Sequence, residues 1–277
     1  ARSANGTWHA SFVCGPGQAR SARQRRLDKQ GVVWEPLPVD ESTGLPAIEG
    51  LDMSLAEKAV SNVHGNLGRT RYLKRCAQAL RFRSKALSRA QKGSRRYQRA
   101  QRKLGALHVQ VAQHRQHENR SAAQRVANRS AIVCVETLKL SFLQKNRRLA
   151  QSTADLGWGQ FLKELEQAMA ARGHLLLYAG QFDPTTQTCP NCGTVNRALK
   201  NNLSTRAWQC QACGADHGRD DAAAHNIQDF AVERFLESFT GAESAPGNRP
   251  LHPELAAFVT RGGMTAFCRS TRQERRQ

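Results

Sequence analysis

The chain has 277 residues, 39% of them hydrophobic, and a formal net charge of +20 from 42 Lys and Arg against 22 Asp and Glu. This length allows one large domain or two modest ones with a buried core. No apolar run reaches the roughly 20 residues of a membrane-spanning helix and no signal peptide is recognisable, which predicts a cytoplasmic protein without a membrane partner. Such an excess of positive charge favours nucleic acid as the partner.

The first 46 residues contain two short apolar segments joined by a basic linker. Residues 7–14 alternate in polarity as a strand does, and residues 15–31 form a linker rich in Gly, Lys and Arg. Residues 32–39 are interrupted by two prolines, which predicts at best an edge strand. The chain opens without Met in the middle of a pattern, so we expect residues 1–46 to be the remnant of an upstream β region.

Residues 47–66 predict a β-hairpin with strands at 47–53 and 58–63 and a second turn at 64–66. Asp52 lies in the first strand between two apolar neighbours. Taken alone, it is best interpreted as a surface Asp at a strand end. A carboxylate in a central strand is nevertheless costly to bury unless it binds a cation or another partner.

Residues 69–129 predict a helical hairpin with a break at Gly93 and Ser94. Apolar or small residues recur at close to a 3.5-residue repeat on both sides of this break; they are Leu73, Ala77, Leu80, Leu87, Tyr97, Ala100, Leu104, Leu107 and Val111. The span has 18 Lys and Arg but only one acid, Glu118. Solvated helix faces usually mix both signs, so this imbalance favours contact with phosphates, and a charged coiled coil that acts as a spacer is the alternative.

Residues 131–140 form a continuous apolar run, which is typical of a strand buried on both faces, and Glu136 near its end is expected to face the rim of the sheet. A helix at 156–172 and another buried strand at 174–179 follow.

Residues 220–239 predict a further helix, with Asp220 and Asp221 in its first turn. The helix dipole favours anions there, so one of the two acids is expected to act only as a helix-start residue. Residues 241–277 are rich in proline and basic residues, and we expect a loosely ordered tail.

Four of the eight cysteines form two CxxC pairs with 17 residues between them. The pairs are Cys189 with Cys192 and Cys210 with Cys213. This spacing predicts a zinc ribbon over residues 184–218 that holds one structural Zn²⁺. The other cysteines are scattered singly, which favours a reducing compartment over a disulfide framework.

Three acids occupy comparable places: Asp52 on the first strand, Glu136 at the end of a later strand and Asp220 at the start of a helix. Strands of one sheet can bring such positions together although each step along the chain spans 84 residues. Carboxylates are the ligands that Mg²⁺ prefers, and two Mg²⁺ ions held by shared carboxylates support phosphodiester cleavage. On spacing alone, such a site is a hypothesis.

Several motifs occur in a recognisable order: GLDMSL, KGSRRYQRAQRKL, VCVETLKL, FDPTTQTCPNCG with CQACG, and RDDAAAHNI. Together they resemble the C-terminal half of the TnpB family, the transposon-encoded RNA-guided nucleases related to type V CRISPR effectors, over residues 47–239. The resemblance implies an α/β fold with an RNase H-like (RuvC-like) mixed sheet and flanking helices. The core would comprise residues 47–183 and a last helix at 219–240, the basic hairpin and the zinc ribbon would be insertions, and residues 1–46 would be the remnant of a wedge-like region.

The resemblance also implies a DNA endonuclease guided by RNA, in which Asp52, Glu136 and Asp220 are catalytic and hold two Mg²⁺ ions. DNA and a guide RNA would be its partners. Ser54 and Ala222 depart from the family pattern, which has Gly and Asn at these places. Two alternatives stay open: a truncated, catalytically inactive remnant or guide-dependent DNA binder, and a zinc-ribbon nucleic-acid module on an unrelated enzyme core.

Overall fold

A computed structural model describes residues 34–68, 70–138, 145, 149–201, 204–238 and 251–267. The predicted strand at 7–14 and linker at 15–31 lie outside these residues. The chain divides into two compact units. One unit comprises Ala1–Glu35 and Arg71–His117, and the other comprises Pro36–Thr70 and Glu118–Gln277.

Two basic helices, α1 (Tyr72–Ser88) and α2 (Arg95–Arg129), lie where the 3.5-residue pattern predicted them, on either side of Gly93. The Tyr72 ring stacks on His114 with centroids 3.9 Å apart, and Arg83 donates to the Lys103 carbonyl at 2.8 Å, so the helices run antiparallel. The apolar seam is only partly closed, since α1 has no buried residue.

The larger unit is built on a five-stranded sheet of order β3-β2-β1-β4-β5. β1 is parallel to β4 and β4 to β5, whereas β1, β2 and β3 are antiparallel neighbours. The strands are β1 (Ile48–Asp52), β2 (Val60–Ser61), β3 (Gly65–Asn66), β4 (Ile132–Glu136) and β5 (Leu175–Ala179). The fold is therefore mixed α/β, as the sequence predicted at this level.

Four helices flank the sheet or follow it: α3 (Ala150–Leu156), α4 (Trp158–Ala171), α5 (Arg219–Ser238) and α6 (Pro253–Thr260). The residues at 184–218, which we call the cysteine-rich segment, contain a 3₁₀ turn and the two-stranded sheet of β6 (Ala207–Gln209) and β7 (Asp216–Gly218). None of the described helices combines the length and apolar character needed to cross a membrane.

The period-two alternation of the strands divides the core into two layers. On one face, Ile48, Ile132 and Cys134 pack in a cluster with residues of α5 and α6, including Ile227 and Leu255. On the other face, the buried cluster contains Leu51, Val133, Val135, Phe161, Leu165, Ala123 and Val126, which belong to the sheet, α4 and the end of α2. By the same alternation, Asp52 and Glu136 lie on the α5 face.

Several boundaries differ from the sequence predictions. Residues 65 and 66, predicted as a turn, pair with β2 as strand β3. The single helix predicted at 156–172 is preceded by α3, because Gly157 adopts a left-handed φ of 61° that ends α3 and starts α4. In the described part of the predicted edge strand, Val39 forms only an isolated bridge to Pro46.

The predicted loose tail contains the ordered helix α6, which contradicts the expectation for this part of residues 241–277. The His252 side chain accepts from the Glu254 amide and Pro253 occupies the first turn, so the helix has both a cap and a favourable start. Leu255, Val259 and Met264 are buried. Apolar burial outweighs the proline content that suggested disorder.

A buried lysine ties the β1–β2 connection to two helices. Lys58 is only 1% exposed, and its Nζ donates to Asn119 Oδ1 at 2.5 Å and to the Leu156 carbonyl at 3.2 Å. Its Nζ also lies 3.5 Å from Glu118 Oε1, and Trp158 donates to the Lys58 carbonyl at 2.9 Å. Lys58 was predicted as an ordinary strand residue, so this role is a finding of the structure.

We predict that Lys58→Ala lowers the free energy of unfolding by about 3 kcal/mol or more, because it removes one partner of a buried ion pair and leaves several acceptors unsatisfied. Urea unfolding measures the change. The exposed Lys103→Ala is the matched control and should stay within about 0.5 kcal/mol of the parent. Equal stability of the two variants would contradict the interpretation of Lys58 as a structural tie.

Candidate active site and metal centre

Helix α5 approaches β1 so closely that a side chain at Gly50 would not fit. A Cβ built on Gly50 would lie 2.0 Å from the Ala224 carbonyl oxygen and 3.1 Å from the Gln228 Cβ. The contact is fastened by Asn62, whose Oδ1 accepts from the Gly50 amide at 2.8 Å and whose Nδ2 donates to Gln228 Oε1 at 2.6 Å. Glycine is therefore required here for close backbone approach.

This contact sets the distance from α5 to the acid on β1. Asp220 precedes Ala224 by about one helical turn, or about 5.4 Å along α5. Asp52 follows Gly50 by two residues on the same face, or about 6.6 Å along β1. The contact thus supports a position of Asp220 near Asp52.

Strand pairing places the second acid beside the first. Leu51 pairs with Val135 in parallel register, so the next residues along the two strands, Asp52 and Glu136, end neighbouring strands at one edge of the sheet. β5 ends at the same edge, since its last residue, Ala179, pairs with Glu136.

Both other acids affect the pKa of Asp52. Burial raises the pKa of Asp52 well above its usual value, and the negative charges of Glu136 and Asp220 raise it further, while Arg219 opposes the shift. Burial also raises the pKa of Glu136 to about 7, although a hydrogen bond from the Met53 amide favours its charged form. A nearby cation would stabilise the charged forms of these two carboxylates, whose pKa values are raised.

Asp220 and Asp221 differ in their surroundings, although both lie in the first turn of α5. Asp220 is partly buried and lies 3.5 Å from the guanidinium of Arg206, measured from Oδ2 to Nη1. Asp221 is exposed. The difference favours Asp220 as the site residue, as the sequence analysis proposed.

The four cysteine sulfurs form a more compact group. The Sγ atoms of Cys189, Cys192, Cys210 and Cys213 all lie within 4.8 Å of one another, with 3.7 Å between Cys189 and Cys213 and 3.6 Å between Cys192 and Cys210. Sulfurs bound at about 2.3 Å around one tetrahedral ion have separations of this size. Within the described residues, these four cysteines are the one group of three or more candidate metal ligands whose donor atoms converge in this way. The carboxylate oxygens of Asp52, Glu136 and Asp220 do not form such a group.

Each cysteine pair is held by the same backbone arrangement. The amides of Gly193 and Gly214 donate to the carbonyls of Cys189 and Cys210, both at 2.8 Å. Both glycines have a positive φ, 77° and 75°, which lets the chain turn back under the sulfurs. The donor set and its geometry fit a metal such as zinc.

Two further residues of the cysteine-rich segment lie beside the sulfurs. His217 Nε2 is 3.1 Å from Cys189 Sγ, and its ring lies against Trp208 with centroids 4.8 Å apart. Sequence reasoning did not single out His217, Asn62 or Gln228. Their contacts join residues far apart in the chain, and only the CxxC spacing signalled that 184–218 was structured.

The raised pKa of Glu136 predicts a pH-dependent stability. Its protonated form contributes stability that is complete below the usual value of 4.5 and is lost as pH rises through about 7. We expect the parent protein, without divalent cations, to lose up to about 3 kcal/mol relative to Glu136→Gln across this range.

Urea unfolding of both proteins at several pH values, from below 4.5 to above 7, measures this difference. Glu237→Gln, an exposed change on α5, is the control and should follow the parent at every pH. A constant difference between the parent and Glu136→Gln would show that Glu136 is not perturbed.

Comparison with known families and proteins gives two consecutive matches. Residues 49–147 match the OrfB_IS605 model, described as "Probable transposase". Residues 158–227 match the model described as "Cas12f1-like, TNB domain". The first covers β1, the basic helices and β4, and the second covers α4, the cysteine-rich segment and the first part of α5.

Related proteins carry names of the same kind. A "Putative RNA-guided DNA endonuclease" of Streptomyces pristinaespiralis is 32% identical over 175 residues, which cover 63% of this chain and 41% of that protein. A protein of the same description from Mycobacterium tuberculosis is 29% identical over 248 residues, covering 80% of this chain and 53% of its own length. The chain spans about half, or less, of the curated relatives that it matches.

Among solved structures, the cryo-EM structure of the Cas12f1–sgRNA–target DNA complex superposes with a TM-score of 0.48 and 17% identity, over 69% of this chain and 39% of that chain. The motifs, the two family models and the relatives agree. Together they confirm the resemblance to the TnpB family that the sequence motifs indicated.

Proposed function

We propose that the protein is a metal-dependent DNA endonuclease of the RNA-guided type, with an RNase H-like (RuvC-like) core. The observation that carries this proposal is that Asp52 and Glu136 end neighbouring strands at one edge of the sheet, while α5, which carries Asp220 in its first turn, packs against β1. The sheet supports it, because three antiparallel strands extended by two parallel ones are expected of an RNase H-like core. The names of the relatives support the DNA substrate.

Asp52, Glu136 and Asp220 would hold two Mg²⁺ ions, which supply an activated water and stabilise the leaving oxygen when bound. The chain's own residues prepare this site. The Met53 amide orients Glu136 by donating to it, and Arg219 offsets part of the negative charge around Asp52. The Gly50 contact keeps α5 against β1, so the acid on the helix stays with the acids on the strands.

Nucleic-acid partners are supported by the distribution of charge. Residues 69–129, which include all of α1 and α2, carry 18 basic residues and one acid. The basic side chains of α1 stand on a helix with no buried residue. Such a surface binds phosphates without reading sequence. Sequence choice delegated to a guide RNA is consistent with this, so DNA and guide RNA are the proposed partners.

The cysteine-rich segment is proposed to bind one structural Zn²⁺ through Cys189, Cys192, Cys210 and Cys213. Four cysteine ligands leave no open position, which is typical of structural rather than catalytic zinc.

A DNA binder that does not cleave is the second candidate. It is favoured by one observation: the oxygens of Asp52, Glu136 and Asp220 do not converge into a compact ligand group as the cysteine sulfurs do. Cleavage would then be absent while binding to phosphates is retained.

We predict that Asp52→Ala lowers the rate of Mg²⁺-dependent cleavage more than about 100-fold, because loss of a direct ligand should exceed the loss typical of residues that support ligands. The assay follows labelled single- and double-stranded DNA, with and without co-purified RNA. Asp221→Ala is the matched control and should cleave as the parent does. Equal cutting by Asp52→Ala and parent would refute the site, and binding without cutting by the parent would favour the second candidate.

Zinc content gives an independent prediction. The purified parent should contain about one zinc per chain, and Cys192→Ser should contain less, because a site with three cysteine ligands binds zinc more weakly. Elemental analysis after dialysis measures the ratio. Cys76→Ser, which changes a cysteine of α1, should keep the parent value. Full zinc content in Cys192→Ser would contradict the ligand set.

A further inference from the structure

Phe182 is the most exposed large hydrophobic residue in the described part of the chain. It is 87% exposed, while Phe82, the next, is 75% exposed. Single exposed apolar residues are common and need no explanation by themselves. Phe182 differs because hydrogen bonds and an ion pair hold the backbone of the turn that carries it.

The turn that carries Phe182 is tightly held. The Gly180 amide donates to Asp183 Oδ2 at 2.5 Å, and the Asp183 amide donates to the Gly180 carbonyl at 3.2 Å. Arg234 of α5 lies 3.3 Å from Asp183 Oδ1, and a Cβ on Gly180 would be 2.1 Å from the Arg234 Nη2. The exposed ring of Phe182 is therefore carried by a turn that an ion pair connects to α5.

The turn follows the carboxyl end of β5, the edge at which Asp52 and Glu136 also lie. Ala179 pairs with Glu136, and Phe182 is three residues further on, so it is at most about 10 Å from Ala179 along the chain. The turn that carries Phe182 thus follows the strand end at the same edge of the sheet as the proposed cleavage site.

A cavity of about 260 Å³ begins at Pro184, the residue that follows this turn, and lies between the first cysteine pair and α5. Its walls include Pro184, Pro190, Val195 and Phe230, with Asn191 and Asp229 as polar groups. Pockets for drug-sized ligands span about 300–1,000 Å³, so this cavity suits one planar ring rather than a large cofactor. An apolar wall with a few polar groups is also what a nucleobase requires.

Charge and position identify the occupant. Arg206 and Arg234 are 73% and 58% exposed and lie beside Asp220 and Asp183, where they can contact phosphates. Single-stranded nucleic acids are bound by aromatic platforms combined with basic groups, because unstacked bases offer their faces to the ring. A paired strand offers no such face.

We propose that Phe182 and the adjoining cavity bind the unpaired bases of the DNA strand that is presented to the three acids. Phe182 stacks on one base and the cavity receives a neighbouring base. The proposal rests on the proposed function for the identity of the strand. The binding step itself requires neither cleavage nor metal at the acids.

The test measures binding of single-stranded DNA that contains 2-aminopurine, by fluorescence, to the full chain carrying Asp52→Asn to prevent cutting. Phe182→Ala should weaken binding about 5- to 150-fold and reduce the quenching of 2-aminopurine, as expected for the loss of one stacked base. Phe182→Trp should restore affinity to near that of the parent. The slope of log K against log salt should not change, because no phosphate contact is removed.

Tyr178→Ala is the matched control. Tyr178 is an aromatic residue on β5, 42% exposed, and by alternation it faces away from α5. The Tyr178→Ala variant should bind DNA as the parent does. The thermal unfolding midpoints of all variants show whether folding is intact.

Binding by Phe182→Ala equal to the parent overturns the proposal, as does a parent that does not bind single-stranded DNA. A loss confined to single-stranded RNA also overturns it, because the surface would then hold the guide. Separate cleavage assays on chains with an intact Asp52 distinguish the two proposals. A parent that never cuts DNA while Phe182→Ala loses binding would refute the endonuclease and leave the stacking surface in place.

Discussion

The packing of α5 against β1 at Gly50 is the constraint on which the candidate site depends. The Ala224 carbonyl occupies the space of a side chain at position 50, and the Asn62–Gln228 hydrogen bond closes the contact from the neighbouring strand. None of these residues is an acid, yet their contacts bring α5 to strands that lie 80 to 170 residues earlier in the chain. This tight contact supports the proposed position of Asp220 near Asp52.

The buried and the exposed charges of this protein have different surroundings. Glu49 is 1% exposed and is held by Arg129 and by Ser130, whose hydroxyl donates at 2.6 Å. Lys58 is buried to the same degree and donates to Asn119 of α2. In contrast, the basic side chains of α1 stand on a helix that has no buried residue. Burial without partners is costly, so the two buried charges fix geometry and the exposed ones remain available for phosphates.

Local signals predicted the strands, the α5 helix and the cysteine-rich segment. The apolar run before Glu136 and the CxxC spacing are short-range patterns that tertiary contacts did not override. Lys58 could not be predicted as buried, because its acceptors, Asn119 and the Leu156 carbonyl, lie 61 and 98 residues away. Helix α6 was missed because its proline suggested disorder, whereas the proline occupies the first turn and Leu255 finds a place in the core. The three acids were grouped by their places on two strands and a helix, and the family resemblance then implied their catalytic role.

The junction between β7 and α5 limits how the chain can vary in length. β7 ends at Gly218 and α5 begins at Arg219 without an intervening residue, and the Arg219 amide donates to the Arg206 carbonyl within the cysteine-rich segment. One inserted residue at this point would rotate every later position of α5 by about 100° relative to β7. If α5 keeps its packing against β1 through Ala224, the cysteine-rich segment has to rotate relative to the sheet instead. An inserted residue in the loop before β6 leaves this junction unchanged, so we expect the segment to tolerate a change of length there better than at its exit.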